Sequence, residues 1–257
     1  FTGLFTQGMV CHETYKDQNN NWISPEEIEM IDNDYYKKGD SSLKITIGPS
    51  ESMSKSKKNV IDPENIMNNY GADSVRLFIL SDSPPEKDVQ WSDIGVVSAN
   101  KFLQKIWNLN YLISSKTEGS SDKTLEKKFN TSVENFIMKI DTSINNFRFN
   151  VAVANFYEIY NFFKKSLDKK ISKQVMKDNI IKIMKLMIPF VPHIAHECLE
   201  LHKCDTENIW PTVNKENILD EVNVAIQING KTRDIIKIKK DLSEDEIKKI
   251  ILKNSKA

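Results

Sequence analysis

From Ser92 to about Lys203 the apolar residues recur every three or four positions with only short interruptions, and this period constrains the fold more than any other feature of the chain. Ala99, Phe102, Ile106, Leu109 and Ile113 mark one face of a long helix that begins behind a Ser92 cap. After a polar connection at 114–123, Leu125, Phe129, Val133, Phe136, Ile140 and Ile144 mark a second. Residues 151–165 and 175–188 predict a third and a fourth; Pro189 and Pro192 then break the pattern, and Pro192 restarts a shorter helix to about Lys203. Helices that each carry one apolar stripe bury it best against one another, so a bundle is expected here.

The two ends read differently. Before the bundle, Leu43, Ile45 and Ile47 alternate as a strand does and run into Gly48-Pro49. Asp62 followed by Pro63 predicts a helix start, Ile66, Met67 and Tyr70 give it an apolar face, and Gly71 ends it. A further helix through Val75, Leu77, Phe78 and Leu80 closes at Ser83-Pro84-Pro85. After the bundle, Val222, Val224, Ile226 and Ile228 alternate up to Asn229-Gly230, a hairpin turn signal, and a return strand runs toward Ile238. Ser243 with Glu246 forms a capping box that opens a last helix through Ile247, Ile250 and Ile251. The expected fold is mainly α with α+β ends. One hairpin with one helix is marginal alone, and the chain opens Phe1-Thr2-Gly3 with no Met, so it is expected to be a piece of a longer polypeptide.

Composition excludes little. Lys+Arg and Asp+Glu both number 36, so no global basic field marks a nucleic-acid binder and any such site must be local. Three cysteines, Cys11, Cys198 and Cys204, form no disulfide framework and suit a reducing compartment. No apolar run reaches the length of a membrane span. A soluble, cytoplasmic, monomeric protein is expected.

Local charge is strongest at Glu51-Ser52-Met53-Ser54-Lys55-Ser56-Lys57-Lys58-Asn59-Val60, which lies between a Gly-Pro and an Asp-Pro. A solvated linker is one reading. A Walker-type phosphate loop is not another, since Gly48 is one residue too far from Lys55 and Ser54 stands where the second Gly belongs. A lysine on a serine-rich loop at a strand end can still clamp a phosphate, because an ammonium and backbone N–H groups meet its charge.

Ser52-Met53-Ser54-Lys55-Ser56 resembles the Lys-Met-Ser-Lys-Ser signature of class I aminoacyl-tRNA synthetases. The run from Lys57 through Asp62-Pro63, with Tyr70-Gly71-Ala72-Asp73-Ser74-Val75-Arg76-Leu77-Phe78, is similar to leucyl-tRNA synthetases of bacterial type. So are Gln7-Gly8-Met9-Val10, Ser81 to Asp88 with Trp91, Ala99 to Leu103 with Ile106-Trp107, Phe147 to Asn150, Pro192 to Ala195 and Ile226 to Lys231. The resemblance implies ATP-dependent activation of leucine to leucyl-adenylate and transfer to tRNA(Leu), with ATP and Mg2+ in use. It divides the chain into the end of a Rossmann-type catalytic domain with a stem-contact region (1–91), a helical anticodon-binding bundle (92–216) and the start of a small α+β tRNA-contacting domain (217–257). Lys55 is the implied catalytic residue, and Ser52, Met53, Ser54, Lys55 and Ser56 are the implied ATP-binding set. Ser52 replaces the first lysine of the signature; Lys57 and Lys58 are close enough to supply the missing charge. The His-Ile-Gly-His type signature, the leucine pocket and the editing domain are implied upstream of Phe1, so this polypeptide alone is expected to be inactive. Another branched-chain specificity, or a non-catalytic RNA-binding module, are the rival readings.

Other candidates each have a plainer reading. His193, His196, Cys198, His202 and Cys204 suggest zinc, but on a helix Cys198 falls about 200° round from His196, so no metal ligand set is assigned. Arg148 is a tRNA-contact candidate, while Asn150 reads as a cap for the next helix. Lys101 and Lys105 line the long helix as tRNA-contact candidates or as a solvated face, and Trp107 reads as core. In the tail, Lys231, Arg233, Lys237, Lys239 and Lys240 gather charge beside Gln227 and Asn229, in a module the resemblance assigns to the outer corner of the tRNA.

Overall fold

The computed structural model describes residues 3–205, 209–213, 221–228, 231–239 and 242–254. The first part carries two small sheets. In one, β1 (Val10–Lys16) lies between antiparallel β5 (Thr46–Ser52) and parallel β6 (Val89–Gln90). In the other, β2 (Ile28–Ile31), β3 (Asp34–Lys37) and β4 (Asp40–Lys44) form a meander over a small core of Tyr15, Ile23 and Ile45.

The single strand expected through Leu43, Ile45 and Ile47 is two: Leu43 lies in β4, the chain changes sheet at the buried Ile45, and Ile47 lies in β5, which continues through Gly48-Pro49 to Ser52. Thr14 pairs with Gly48 and His12 with Glu51, so Pro49 and Ser50 together oppose Glu13 in a bulge. Proline has no N–H for the ladder, and a bulge on an outer strand is where a sheet tolerates it. Gly48 is required by proximity: a Cβ there would meet Thr14 Oγ1 at 2.5 Å.

The helices follow the sequence pattern closely because their starts are written in capping residues. Asp62 Oδ1 accepts from Glu64 N at 2.9 Å ahead of α1 (Pro63–Tyr70), and Gly71 then leads into α2 (Ala72–Asp82). Ser92 Oγ accepts from Gly95 N at 3.1 Å to open α3 (Asp93–Ser115). Asp122 Oδ1 accepts from Thr124 N at 2.8 Å to open α4 (Lys123–Asn145). After α5 (Phe149–Lys164), Ser172 caps α6 (Lys173–Met187), and Pro192 opens α7 (Pro192–Leu201). Each such cap is worth about 1 kcal/mol. Asn150 does not cap: the cap position is Arg148, and Asn150 lies inside α5 because Phe147 turns the chain early, at φ 55°.

One continuous apolar core joins α2 to the bundle, running from Leu77 and Phe78 through Phe102, Ile106, Ile113, Ile137, Ile140, Phe163 and Met184 to Leu199. Full burial of such a side chain contributes about 1.5–3 kcal/mol each. Aromatic pairs knit the helices: Phe129 stacks on Phe162 with centroids 5.1 Å apart, and Phe156 meets Phe190 edge-on at 5.2 Å. Trp107, expected in the core, is instead 37% exposed. The stripe of α3 through Leu103, Ile106, Leu109, Asn110 and Ile113 fills the buried face and leaves Trp107 and Tyr111, one turn apart, outside it.

In the tail, β7 (Glu221–Ile228) and β8 (Lys231–Lys239) pair antiparallel, and Glu246 Oε2 accepts from Ser243 N at 2.9 Å ahead of α8 (Glu244–Asn254). Among the described residues no helix is long and apolar enough to cross a membrane.

Candidate functional site

The basic segment is an ordered turn. It leaves β5 at Ser52, whose Oγ lies 4.0 Å from Cys11 Sγ, and Met53 N donates to Val10 O at 3.2 Å, so the root of the loop is still part of the sheet. Ser54 then caps a single 3-10 turn over Lys55–Lys57: its Oγ accepts from Lys57 N at 3.3 Å and sits 2.9 Å from Ser56 Oγ. Lys58 closes the turn in the left-handed region, at φ 52° and ψ 21°. A lysine there carries a steric cost that glycine would not.

Asn59 holds this turn in place, a role that sequence reasoning did not assign. Its side chain is fully buried, its Oδ1 accepts from Ser54 N at 2.8 Å, and its Nδ2 donates to His12 O and to Glu51 O, both at 3.2 Å. The two ends of the turn are thereby tied to each other and to β1. The signal available in the sequence was an Asn directly after a run of lysines, which does not reveal partners 47 residues away.

The three lysines differ in their surroundings. Lys57 pairs with Glu51. Lys55 and Lys58 are exposed, and neither makes an ion pair with a described residue, so the tip presents two uncompensated charges in solvent. Beside the loop root, Thr14, Lys16, Trp22, Thr46, Gly48 and Glu51 line a hollow of about 240 Å³. An apolar cavity of about 220 Å³ lies elsewhere, between Phe5, Val10, Ile79, Leu80, Phe147 and Phe149. A ligand that brings negative charge to this segment would meet the Lys55 ammonium, the Ser54 and Ser56 hydroxyls and the Lys58 ammonium, all carried on one short turn.

The remaining candidates lie on separate elements. Lys101 and Lys105 are exposed on α3, one turn apart. Arg148 is exposed at the start of α5, where its N–H donates to Ser143 O at 2.8 Å. Gln227 and Arg233 are exposed on β7 and β8, and Lys231 opens β8 opposite Ile228. Asn229 and Lys240 lie outside the described residues.

The histidines and cysteines near α7 go to different places. His193 Nδ1 lies 2.8 Å from Asp73 Oδ1, His202 Nε2 lies 3.1 Å from Asn110 Oδ1 inside the bundle, and Cys198 is fully buried. Burial, reinforced by Lys177 and Lys173, pushes the His202 pKa down to about 4, and burial pushes the Cys198 thiol up to about 12. Among the described residues no three His, Cys, Asp or Glu side chains gather as a metal site.

Comparison with known proteins relates the chain to tRNA synthetases. Residues 27–92 match the model of class I tRNA synthetases (I, L, M and V), and residues 126–250 match that of the anticodon-binding domain of tRNA ligase. Leucine–tRNA ligase of Zymomonas mobilis is 36% identical over 260 residues, covering 100% of this chain and 30% of that protein. The Rickettsia bellii leucine–tRNA ligase is 39% identical over 257 residues, covering 98% and 30%. A crystal structure of the Agrobacterium radiobacter K84 agnB2 LeuRS in ternary complex with tRNA and LeuAMS superposes with a TM-score of 0.63 at 25% identity, covering 78% of this chain and 27% of that one. The chain thus spans about 30% of the length of the curated relatives it matches. With sequence likeness along its whole length, two synthetase family models in order and a shared fold, the chain belongs to the leucyl-tRNA synthetases of class I.

Proposed function

We propose that this chain works as the C-terminal part of a leucine–tRNA ligase, which activates leucine with ATP to leucyl-adenylate and pyrophosphate and then transfers the leucyl group to tRNA(Leu). In this reading residues 1–91 supply the phosphate-clamping loop and stem contacts, 92–216 the anticodon-binding bundle, and 217–257 the start of a further tRNA-contacting domain.

The observation that carries it is the state of Lys55. Its ammonium stands in solvent with no described ion-pair partner, on a turn whose backbone is fixed by Ser54 and Asn59. In-line attack of a carboxylate on the α-phosphate spreads negative charge over that phosphate and the departing pyrophosphate. A cation that meets this charge as water is excluded stabilises the transition state more than bound ATP, and so raises the rate. Ser54 and Ser56 hydroxyls have the chemistry to bind phosphate oxygens beside it. Lys57 neutralises Glu51, which would otherwise repel the nucleotide; Lys58 is the lysine that offsets the charge absent at Ser52. Mg2+ would accompany ATP in this reaction, but the described residues gather no ligand cluster for it, and no step here runs through it.

On the bundle and tail, Lys101, Lys105, Arg148, Gln227, Lys231 and Arg233, with Asn229, are the proposed tRNA contacts. Each phosphate they neutralise adds about one to the salt dependence of binding.

The test is leucine-dependent ATP–pyrophosphate exchange by the polypeptide of full relative length. Lys55→Met is expected to lower exchange by about 10²–10³-fold with little change in the KM for tRNA. Exchange at the wild-type rate in that variant removes the role given to the loop. Exchange with isoleucine or valine in place of leucine overturns the specificity.

A further inference from the structure

Two residues of α2 make a set of contacts that the chemistry of the loop does not require. The chain leaves α6 and enters α7 at a tight corner, 188–191, which exposes carbonyls at one helix end and N–H groups at the next. Both sets are satisfied by α2. Arg76 Nε donates to Phe190 O at 3.0 Å and its Nη2 donates to Pro189 O at 2.7 Å. Asp73 Oδ2 accepts from Ile194 N at 2.8 Å, while its Oδ1 accepts from His193 N at 3.4 Å and lies 2.8 Å from His193 Nδ1.

The pattern is keyed by charge. Asp73 and Arg76 are three apart on one helix and therefore share a face. The carboxylate meets the positive start of α7, and the guanidinium meets the negative end of α6. A shift of α2 by one turn would put neither group opposite its partner. Between these two residues, Ser74 ties α2 back to the end of α1: its Oγ donates to Tyr70 O at 2.6 Å, and Asn100 Nδ2 of α3 donates to the same carbonyl at 3.0 Å. Only α1 and a four-residue link, 59–62, separate this anchorage from the basic turn.

We infer that Asp73 and Arg76 are positioning residues that lock the α6–α7 corner onto the loop-bearing half, and so set where tRNA held by the bundle lies relative to the loop. The inference rests on the function proposed above. Loss of the lock leaves the loop and its lysine intact, so the adenylate step proceeds while the tRNA step suffers.

The variants are Asp73→Asn, which keeps the shape but replaces one acceptor oxygen by an NH2 donor among the backbone N–H groups of His193 and Ile194, and Arg76→Lys, which keeps the charge but loses the fork. Ile183→Val, a core change outside the clamp, controls for lost stability. In the full-length enzyme, leucine-dependent exchange is expected within twofold of wild type and the KM for tRNA(Leu) to rise about tenfold, with the double variant no worse than the worse single one. Charging and exchange both unchanged, or both reduced in parallel as in Ile183→Val, overturns the inference.

Spin labels at Glu64→Cys on α1 and Glu158→Cys on α5, in a background lacking Cys11 and Cys204, give a second measurement on this chain that does not depend on catalysis. Asp73→Asn is expected to broaden the distance distribution; an unchanged distribution overturns the clamp. Absence of leucine-dependent exchange in the wild-type enzyme defeats the functional reading, and the spin-label distances then decide the clamp alone.

Discussion

Asn59→Ala tests the organisation of the basic turn directly. The substitution removes an acceptor from Ser54 N and donors from His12 O and Glu51 O, and the His12 carbonyl bond is buried. Leaving a buried polar group without a partner costs about 1–3 kcal/mol, so a local loss near 2 kcal/mol is a fair central figure. Spread over local opening alone, that raises the open population of the turn roughly 30-fold. Hydrogen exchange at the Ser54 and Lys57 amides reads this opening directly, and exchange of pyrophosphate by the full-length enzyme is expected to fall in proportion to the fraction of molecules in which Lys55 is no longer aligned. Asn59→Asp is expected to be at least as damaging: it keeps the acceptor but sets an anionic oxygen against two carbonyls where Nδ2 stood at 3.2 Å. Amide protection and pyrophosphate exchange within twofold of wild type in Asn59→Ala would refute the anchoring role.

Lys58→Gly relieves the left-handed backbone and is expected to stabilise the turn by roughly 1 kcal/mol, whereas Lys58→Ala keeps the strain; amide exchange of the loop separates them. His202 is held neutral in the folded bundle with a pKa of about 4 against an ordinary 6.5, so the unfolded chain binds the extra proton between these values. Stability is therefore full above pH 6.5 and falls as the medium is acidified, by about 2 kcal/mol between pH 7.5 and pH 5 from this residue; urea unfolding of His202→Gln is expected to lose that part of the pH dependence. Glu126 acts with the opposite starting charge: Ser172, whose N–H donates to its Oε1 at 3.0 Å, and Lys123 hold its carboxyl down to about 2. Its contribution is present above pH 4.5 and is lost as pH falls toward 2, and Glu126→Gln is expected to flatten the acid limb of an unfolding profile in that window.

The helices of the bundle and their starts were set by the sequence itself, because an apolar stripe and a cap such as Ser92 or Asp122 act over three or four residues and need no distant partner. The basic turn was likewise legible as a segment, and its resemblance named the family before any coordinates did. Distances along the chain of 47 to 121 residues were settled only by the tertiary structure: Asn59 reaching His12, and Asp73 and Arg76 reaching the α6–α7 corner. Which face of α3 turned inward was also settled there, and it left Trp107 outside despite its bulk. The reason is physical: a hydrogen bond or a buried face depends on the register in which elements pack, and one chain's local pattern is compatible with several registers until the whole core chooses among them.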